Sequence, residues 1–283
     1  MSIFRVPQWV TQHLHEFPTY NAIPDSLFQQ LHKDLARYQA SETPLVSIVI
    51  PAYNEEKDML KTLSSLAHNK SLYPTELIVV NNNSKDHTQE ILDRCGVCSV
   101  LETKQGISYA RQAGLEAARG KYILSADSDS IYPPEWGIAY IQTLEQNPDV
   151  AVVYGQYSFI PSEGATRLGL QLHELVAENF FRTRTGKLEA VNVMGFNFAY
   201  RREQALQIGG FKHDLDRAKT GRAEDGWMAY ELADLGRIQL VKMSNRVWTS
   251  DRRLMEAGSL IKAFMLRVKK YVAGGTPHQG VVS

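Results

Sequence analysis

The chain has 283 residues, with 31 basic and 31 acidic side chains and a formal net charge of zero. That balance provides no overall attraction to nucleic acid, and no nucleic-acid partner is expected. The 43% apolar and 22% charged fractions exclude a disordered or fibrous chain, and the length suffices for a sizeable core with a cleft. No apolar run approaches 18 residues, so no membrane span is expected. The N-terminal stretch MSIFRVPQWVTQHLHEF lacks a basic segment followed by an apolar one, so it does not read as a signal peptide. Cys95 and Cys98 form a lone C-x-x-C with no second pair of soft ligands, and read as structural residues. Such sparse cysteine suits a reducing, cytoplasmic compartment.

Residues 1–44 carry Pro7, Pro18 and Pro24, followed by an amphipathic helix over DSLFQQLHKDLARY capped by Asp25 or Ser26. At residue 45 the pattern changes. LVSIVI, ending at Pro51, is a β-branched apolar run and reads as a buried strand. A helix is expected from about Glu55 to His68, a strand at 76–80, and a helix from about Lys85. A strand at 97–101, a helix from Ile107 to Arg119 closed by Gly120, and a strand at 121–126 follow. Strands alternating with helices predict a parallel, doubly wound sheet, which binds ligands at the carboxyl ends of its strands. Beyond Pro133-Pro134 the expected elements are a helix to about Gln146, a strand at 151–159 and a helix from Thr166 to Arg182. A strand at 196–202, a helix from Ala223 to Leu235 and the strand RIQLV complete the set.

Five polar clusters carry the chemistry. Asp127-Ser128-Asp129 leaves the strand at 121–126, and two carboxylates two residues apart suit Mg²⁺ or Mn²⁺ shared with substrate phosphates. Asp and Ser also populate turns. Pro51-Ala52-Tyr53-Asn54-Glu55-Glu56 follows the first strand. It reads either as a strand-to-helix turn or as a nucleoside floor, with Tyr53 as an apolar wall and Glu55 as an acceptor. Asn81-Asn82-Asn83 follows the second strand and offers turn chemistry or amides matched to a uracil or guanine edge. Arg111 sits one turn into a helix, either on the surface or as a forked donor to phosphate or base. Glu224-Asp225 opens a helix, where acids are favoured by the dipole, and where Asp225 is placed to take a proton from an acceptor hydroxyl.

Taken in order, PAYNE at 51–55, NNNSKDHT at 81–88, GISYARQAGLEAARGKYILSADSD at 106–129, PPEW at 133–136 and AED at 223–225 resemble the inverting GT-A glycosyltransferases of family 2. GFNFAYRREQALQIGGF at 195–211 looks like that family's acceptor-side loop. The resemblance covers about 45–253. It implies an α/β GT-A fold, Rossmann-like, with a mostly parallel central sheet flanked by helices in one continuous domain. The implied divisions are an N-terminal extension (1–44), a nucleotide-binding half (45–130), an acceptor half (131–253) and a C-terminal helix and tail (254–283). It further implies a nucleotide-diphosphate sugar donor, Mn²⁺ or Mg²⁺, and inversion at the anomeric carbon.

Carried over by position, the resemblance makes Asp225 the general base and Asp129 the metal ligand, with Asp127 on the ribose or the metal. Pro51, Tyr53, Glu55, Asn81, Asn82, Arg111, Ser128 and Glu224 would line the donor site. Arg252 and Arg253, within TSDRR, would clamp the leaving diphosphate. The family often has aspartates where this chain has Asn81 and Asn82, which leaves UDP favoured and GDP open. The processive Gln-x-x-Arg-Trp signature is missing. The expected acceptor is a glycan or lipid-linked hydroxyl in cell-surface synthesis. Residues 255–272 form a basic amphipathic stretch that either packs on the body through Leu260, Phe264 and Val268 or contacts the inner face of a membrane. Two other readings share the layout. A sugar-nucleotide pyrophosphorylase would need a glycine-rich basic loop where PAYNEE stands. A non-catalytic nucleotide-sugar binder would not need the three aspartates.

Overall fold

The computed structural model describes residues 5–162, 166–181, 184–215, 223–255 and 262. Ten strands run in chain order as β1 (Val46–Ala52), β2 (Thr75–Asn81), β3 (Cys98–Leu101), β4 (Tyr122–Ser125), β5 (Ser130–Ile131), β6 (Val150–Gly155), β7 (Tyr157–Ile160), β8 (Phe198–Arg201), β9 (Arg237–Val241) and β10 (Val247–Ser250). Seven of them form a central sheet in the order β3-β2-β1-β4-β8-β6-β9, and a smaller sheet has the order β5-β10-β7. β1 pairs in parallel with β2 from Val46↔Thr75 and with β4 from Val46↔Tyr122. Every residue of β1, β2, β4 and β6 is buried, which is why these strands read as continuous apolar runs rather than alternating ones. The central sheet is mostly parallel, as expected, and β8 is its exception: it runs antiparallel to both β4 and β6.

The helices begin with α1 (Gln8–Thr11), α2 (Asp25–Leu35), α3 (Met59–Ala67), α4 (Thr88–Arg94) and α5 (Ile107–Ala117). They continue with α6 (Trp136–Gln146), α7 (Arg167–Phe181), α8 (Arg202–Gln207), α9 (Glu224–Leu232) and α10 (Arg252–Met255). α2 buries Phe28, Leu31 and Leu35, spaced i, i+3, i+7, in the same core as Leu63, Leu66 and Val79. Each such side chain contributes about 1.5–3 kcal/mol on burial, so the N-terminal helices are fixed to the body. α5 lies against β1 at Gly114, where an added Cβ would come within 2.3 Å of Val49 Cγ1.

Two differences from the sequence expectations have local causes. The helix after β1 starts at Met59 rather than Glu55, because the backbone amides of Asn54, Glu55 and Glu56 are held by Ser84, Thr88 and Asp86 of the neighbouring loop. The single strand expected at 151–159 divides into β6 and β7. Asn197 donates to the Gln156 carbonyl at 3.1 Å, and β7 then leaves for the small sheet. Cys95 is buried and Cys98 exposed, and neither is in a disulfide. Among the described residues, no helix is long and apolar enough to cross a membrane.

Candidate active site

The carboxyl ends of β1, β2 and β4 open on a cleft of about 390 Å³. Its floor is Pro51, Ala52 and Tyr53 as β1 ends; Asn82, Gln105 and Ile107 line one end, and Asp127, Ser128, Asp129, Glu55 and Arg252 the other. The loops after β1 and β2 are laced together. Asn54, held at a positive φ of 54°, accepts from Lys85 N at 2.8 Å, and Asn83 turns the second loop at φ 61°. Asn tolerates this left-handed conformation better than most residues. The loops thereby present Tyr53, 48% exposed, as an apolar face to the cleft.

The asparagine amides serve the scaffold. Asn81 Nδ2 donates to Gln89 at 2.8 Å and its Oδ1 accepts from Ser84 N at 3.0 Å, and Asn81 is not among the cleft-lining residues. Asn82 lines the cleft. Its Nδ2 donates to the carbonyls of Glu102 and Lys104, at 3.1 and 2.7 Å, and its Oδ1 accepts from Gly106 N at 2.8 Å. Both amides thus make hydrogen bonds within the protein, and those of Asn82 engage both its donors.

Arg111 differs from expectation. It is 2% exposed and does not line the cleft. Its Nη1 donates to Ser125 Oγ at 2.6 Å and to the Gly195 carbonyl at 3.1 Å, and its Nη2 donates to Asp127 Oδ1 at 2.7 Å. Glu224 Oε1 lies 3.7 Å from its Nε. Burial opposes the guanidinium charge, yet Asp127, Glu224 and Asp225 hold it protonated. The missed signal is periodicity. Arg111, Gly114 and Leu115 share one face of α5, and that face meets the sheet.

Asp225 lies beside Arg111 at Gly195. Gly195 N–H donates to its Oδ2 and Gly226 N–H to its Oδ1, both at 2.6 Å. Burial raises its pKa above the usual carboxylate range. Glu224 adds to the rise, while Arg111 and the two amides restrain it. Gly195 leaves room for this junction: a Cβ there would fall 2.2 Å from Arg111 Nη2 and 3.1 Å from Asp225 Oδ2, so a side chain would have to shift.

At the other pole, the contacts of Asp129 among the described residues are long: Ser130 Oγ at 3.3 Å, Thr249 Oγ1 at 3.5 Å and Arg252 Nη2 at 3.8 Å. Burial and neighbouring Asp127 raise its pKa. Glu55 is pushed up to about 7, mainly by burial, with Arg252 opposing the rise. Asp58 and Lys61, paired at 2.5 Å, belong to this pole. They were invisible in the sequence because they resemble an ordinary helix start. The hard-oxygen set fits a divalent cation shared with a phosphate ligand rather than one caged by protein. Among the described residues, no group of three or more His, Cys, Asp or Glu is placed to hold a metal ion alone. The side chain of Arg253 lies outside the described residues, as does the stretch 255–272 apart from Met255 and Lys262.

The sequence model of Glycosyl transferase family 2 matches residues 47–209, more than half of the chain. The chain belongs to glycosyl transferase family 2. Similar family members include the glucosyl-dolichyl phosphate glucuronosyltransferase of Haloferax volcanii, 27% identical over 64% of this chain and 58% of its own. The chondroitin synthase of Escherichia coli is 28% identical over 53% of this chain and 23% of its own. The chain therefore spans less than two thirds of the length of these relatives.

Solved structures share the GT-A fold. S. aureus TarS 1–349 in complex with UDP-GlcNAc superposes with a TM-score of 0.56 at 19% identity, covering 72% of this chain and 58% of that one. The Pyrobaculum calidifontis mannosyltransferase in complex with GDP-Man and Mn²⁺ gives 0.55 at 19%, covering 86% and 73%. The Mycobacterium tuberculosis glucosyl-3-phosphoglycerate synthase in complex with Mg²⁺ and UDP gives 0.56 at 20%, covering 89% and 85%.

Proposed function

We propose that this protein is an inverting, metal-dependent glycosyltransferase that moves a sugar from a nucleotide-diphosphate donor to an acceptor hydroxyl, with Asp225 as general base. One observation carries the reading. Asp127, at the cleft, and Asp225 are linked through the buried side chain of Arg111 and the backbone of Gly195: Arg111 donates to Asp127 and to the Gly195 carbonyl, and the Gly195 amide donates to Asp225. A donor pole and a basic carboxylate are thereby held in one rigid unit, as transfer between two substrates requires.

In this reading Tyr53 and Ile107 flank the base, Asp127 faces the ribose, and Glu55, Asp129 and Arg252 surround the diphosphate. Asp129, with Asp127 beside it, would hold a Mn²⁺ or Mg²⁺ ion, which would supply a Lewis acid for the charge that grows on the leaving diphosphate. The acceptor oxygen attacks the anomeric carbon from the face opposite the diphosphate. The glycosidic bond forms as the C–O bond to phosphate breaks, its electron pair leaves with the phosphate oxygen, and the proton passes to Asp225. Burial makes that carboxylate a stronger base than an exposed aspartate, while the Gly195 and Gly226 amides fix its orientation.

Asn82 has no amide to spare for the base, so the preference for UDP over GDP rests on UDP-binding neighbours such as TarS rather than on this side chain. A lipid-linked acceptor in cell-surface glycan or glycolipid synthesis draws on the name of the Haloferax relative. A panel of UDP- and GDP-sugars with Mn²⁺, followed by product analysis, tests the proposal. Release of nucleoside diphosphate with sugar transfer supports it. Release of triphosphate from sugar nucleotide and pyrophosphate would instead identify a pyrophosphorylase, and binding without turnover a non-catalytic binder.

A further inference from the structure

The basic side chain at the metal pole has a second consequence, which rests on the proposed reading of Asp129. We infer that Arg252 is an exchangeable counter-ion. It occupies the acidic pole of the cleft until a metal–nucleotide complex arrives, so free divalent cation is kept out and metal enters together with the nucleoside diphosphate.

Arg252 reaches three carboxylates, two from the turn after β1 and one from the loop after β4: Glu55 at 3.1 Å, Asp58 at 3.6 Å and Asp129 at 3.8 Å. Lys61 already neutralises Asp58 at 2.5 Å. Three carboxylates thus face two cations, and because Glu55 is pushed up to about 7 the pole retains at most a single negative charge. A dication added alone must work against Arg252 and Lys61 at close range. A dication arriving with a diphosphate brings its own negative charge and gives Arg252 somewhere to go.

The anchoring of Arg252 fits an exchange of this kind. Its backbone N–H donates to Ser250 Oγ at 3.2 Å, and the preceding Asp251 is wholly buried and accepts from Ser162 N at 3.1 Å. The stem is fixed, while the guanidinium half of the residue is not: its side chain is 50% exposed and its contacts to Asp58 and Asp129 are long. Its carboxylate partners are only 11%, 24% and 15% exposed, so the guanidinium leaves readily only when an incoming dication takes over their charge. A diphosphate offers the guanidinium two parallel, charge-assisted hydrogen bonds in return.

Mn²⁺ titration of the full chain by isothermal calorimetry or electron paramagnetic resonance, with and without UDP or GDP, tests this. The inference predicts weak binding of free Mn²⁺ to the wild type and marked tightening with nucleotide. Arg252→Gln binds free Mn²⁺ roughly fivefold or more tightly than wild type, the factor equivalent to one surface ion pair, and loses much of the nucleotide-induced gain. Arg252→Lys, which keeps the charge, stays near wild type. Equal or weaker free-Mn²⁺ binding by Arg252→Gln, with nucleotide-dependent binding intact, overturns the inference alone. No Mn²⁺ binding by either protein, with or without nucleotide, overturns the metal assignment as well.

Discussion

Arg111 donates to Asp127 at 2.7 Å from a position 2% exposed to solvent, and so ties the cleft-lining aspartate to the buried Gly195 carbonyl from inside the protein. A buried ion pair is weak evidence of net stabilisation, but removing one partner leaves the other charge uncompensated. Arg111→Met leaves Asp127, Glu224 and Asp225 without their shared cation. It is expected to lower unfolding free energy by about 3–5 kcal/mol, read as a fall in the urea midpoint. A midpoint equal to wild type contradicts the bridge.

Gly195 is the geometric test of the same junction. Alanine there forces a methyl to within 2.2 Å of Arg111 Nη2 and 3.1 Å of Asp225 Oδ2, so one or both must move. A displacement of about 1 Å at a reacting group costs on the order of a hundredfold. Gly195→Ala is therefore expected to reduce kcat by that order while donor affinity stays within a few-fold. Steady-state kinetics with calorimetric donor binding separates the two. Unchanged kcat removes Gly195 from the site.

Glu55 makes stability depend on pH in a stated direction. Its folded pKa lies at about 7 against an ordinary 4.5, raised chiefly by burial. A raised carboxylate contributes stability that is complete below pH 4.5 and is lost as pH climbs through 7. Glu55→Gln carries no such dependence. Its stability relative to wild type should increase between pH 4.5 and 8 by on the order of 1–3 kcal/mol, seen as a Tm difference that widens with pH. A constant difference across that range refutes the burial of a charged Glu55.

Chelation addresses the metal pole. EDTA is expected to abolish transfer and Mn²⁺ or Mg²⁺ to restore it, and Asp129→Asn is expected to lose about a hundredfold or more even with metal added. Full activity in EDTA excludes a metal at Asp129.

The legible part of this molecule is where burial is continuous. β1, β2 and β4 lie inside on both faces, so their apolar runs mark them, and the polar residues that follow stand where strands end. Asp127 and Asp129 were found in that way. The small sheet was not legible, because β5 is two residues long and its partner β10 lies more than a hundred positions away. The surroundings of Arg111 and Asn82 were not legible, because a side chain's partners come from elements distant in sequence. The carbonyl of Gly195 and those of Glu102 and Lys104 decide what these two side chains do. The antiparallel placement of β8 is of the same kind: its direction follows from pairing with β4 and β6, not from its own four residues.

The most direct measurement is transfer by Asp225→Asn beside its donor affinity. The account predicts that this variant binds nucleotide sugar within a few-fold of wild type and releases nucleoside diphosphate to acceptor at least about a hundredfold more slowly. Its residual rate should also lose the acid limb that titration of Asp225 gives the wild type. Transfer at the wild-type rate, with the acid limb intact, would contradict it.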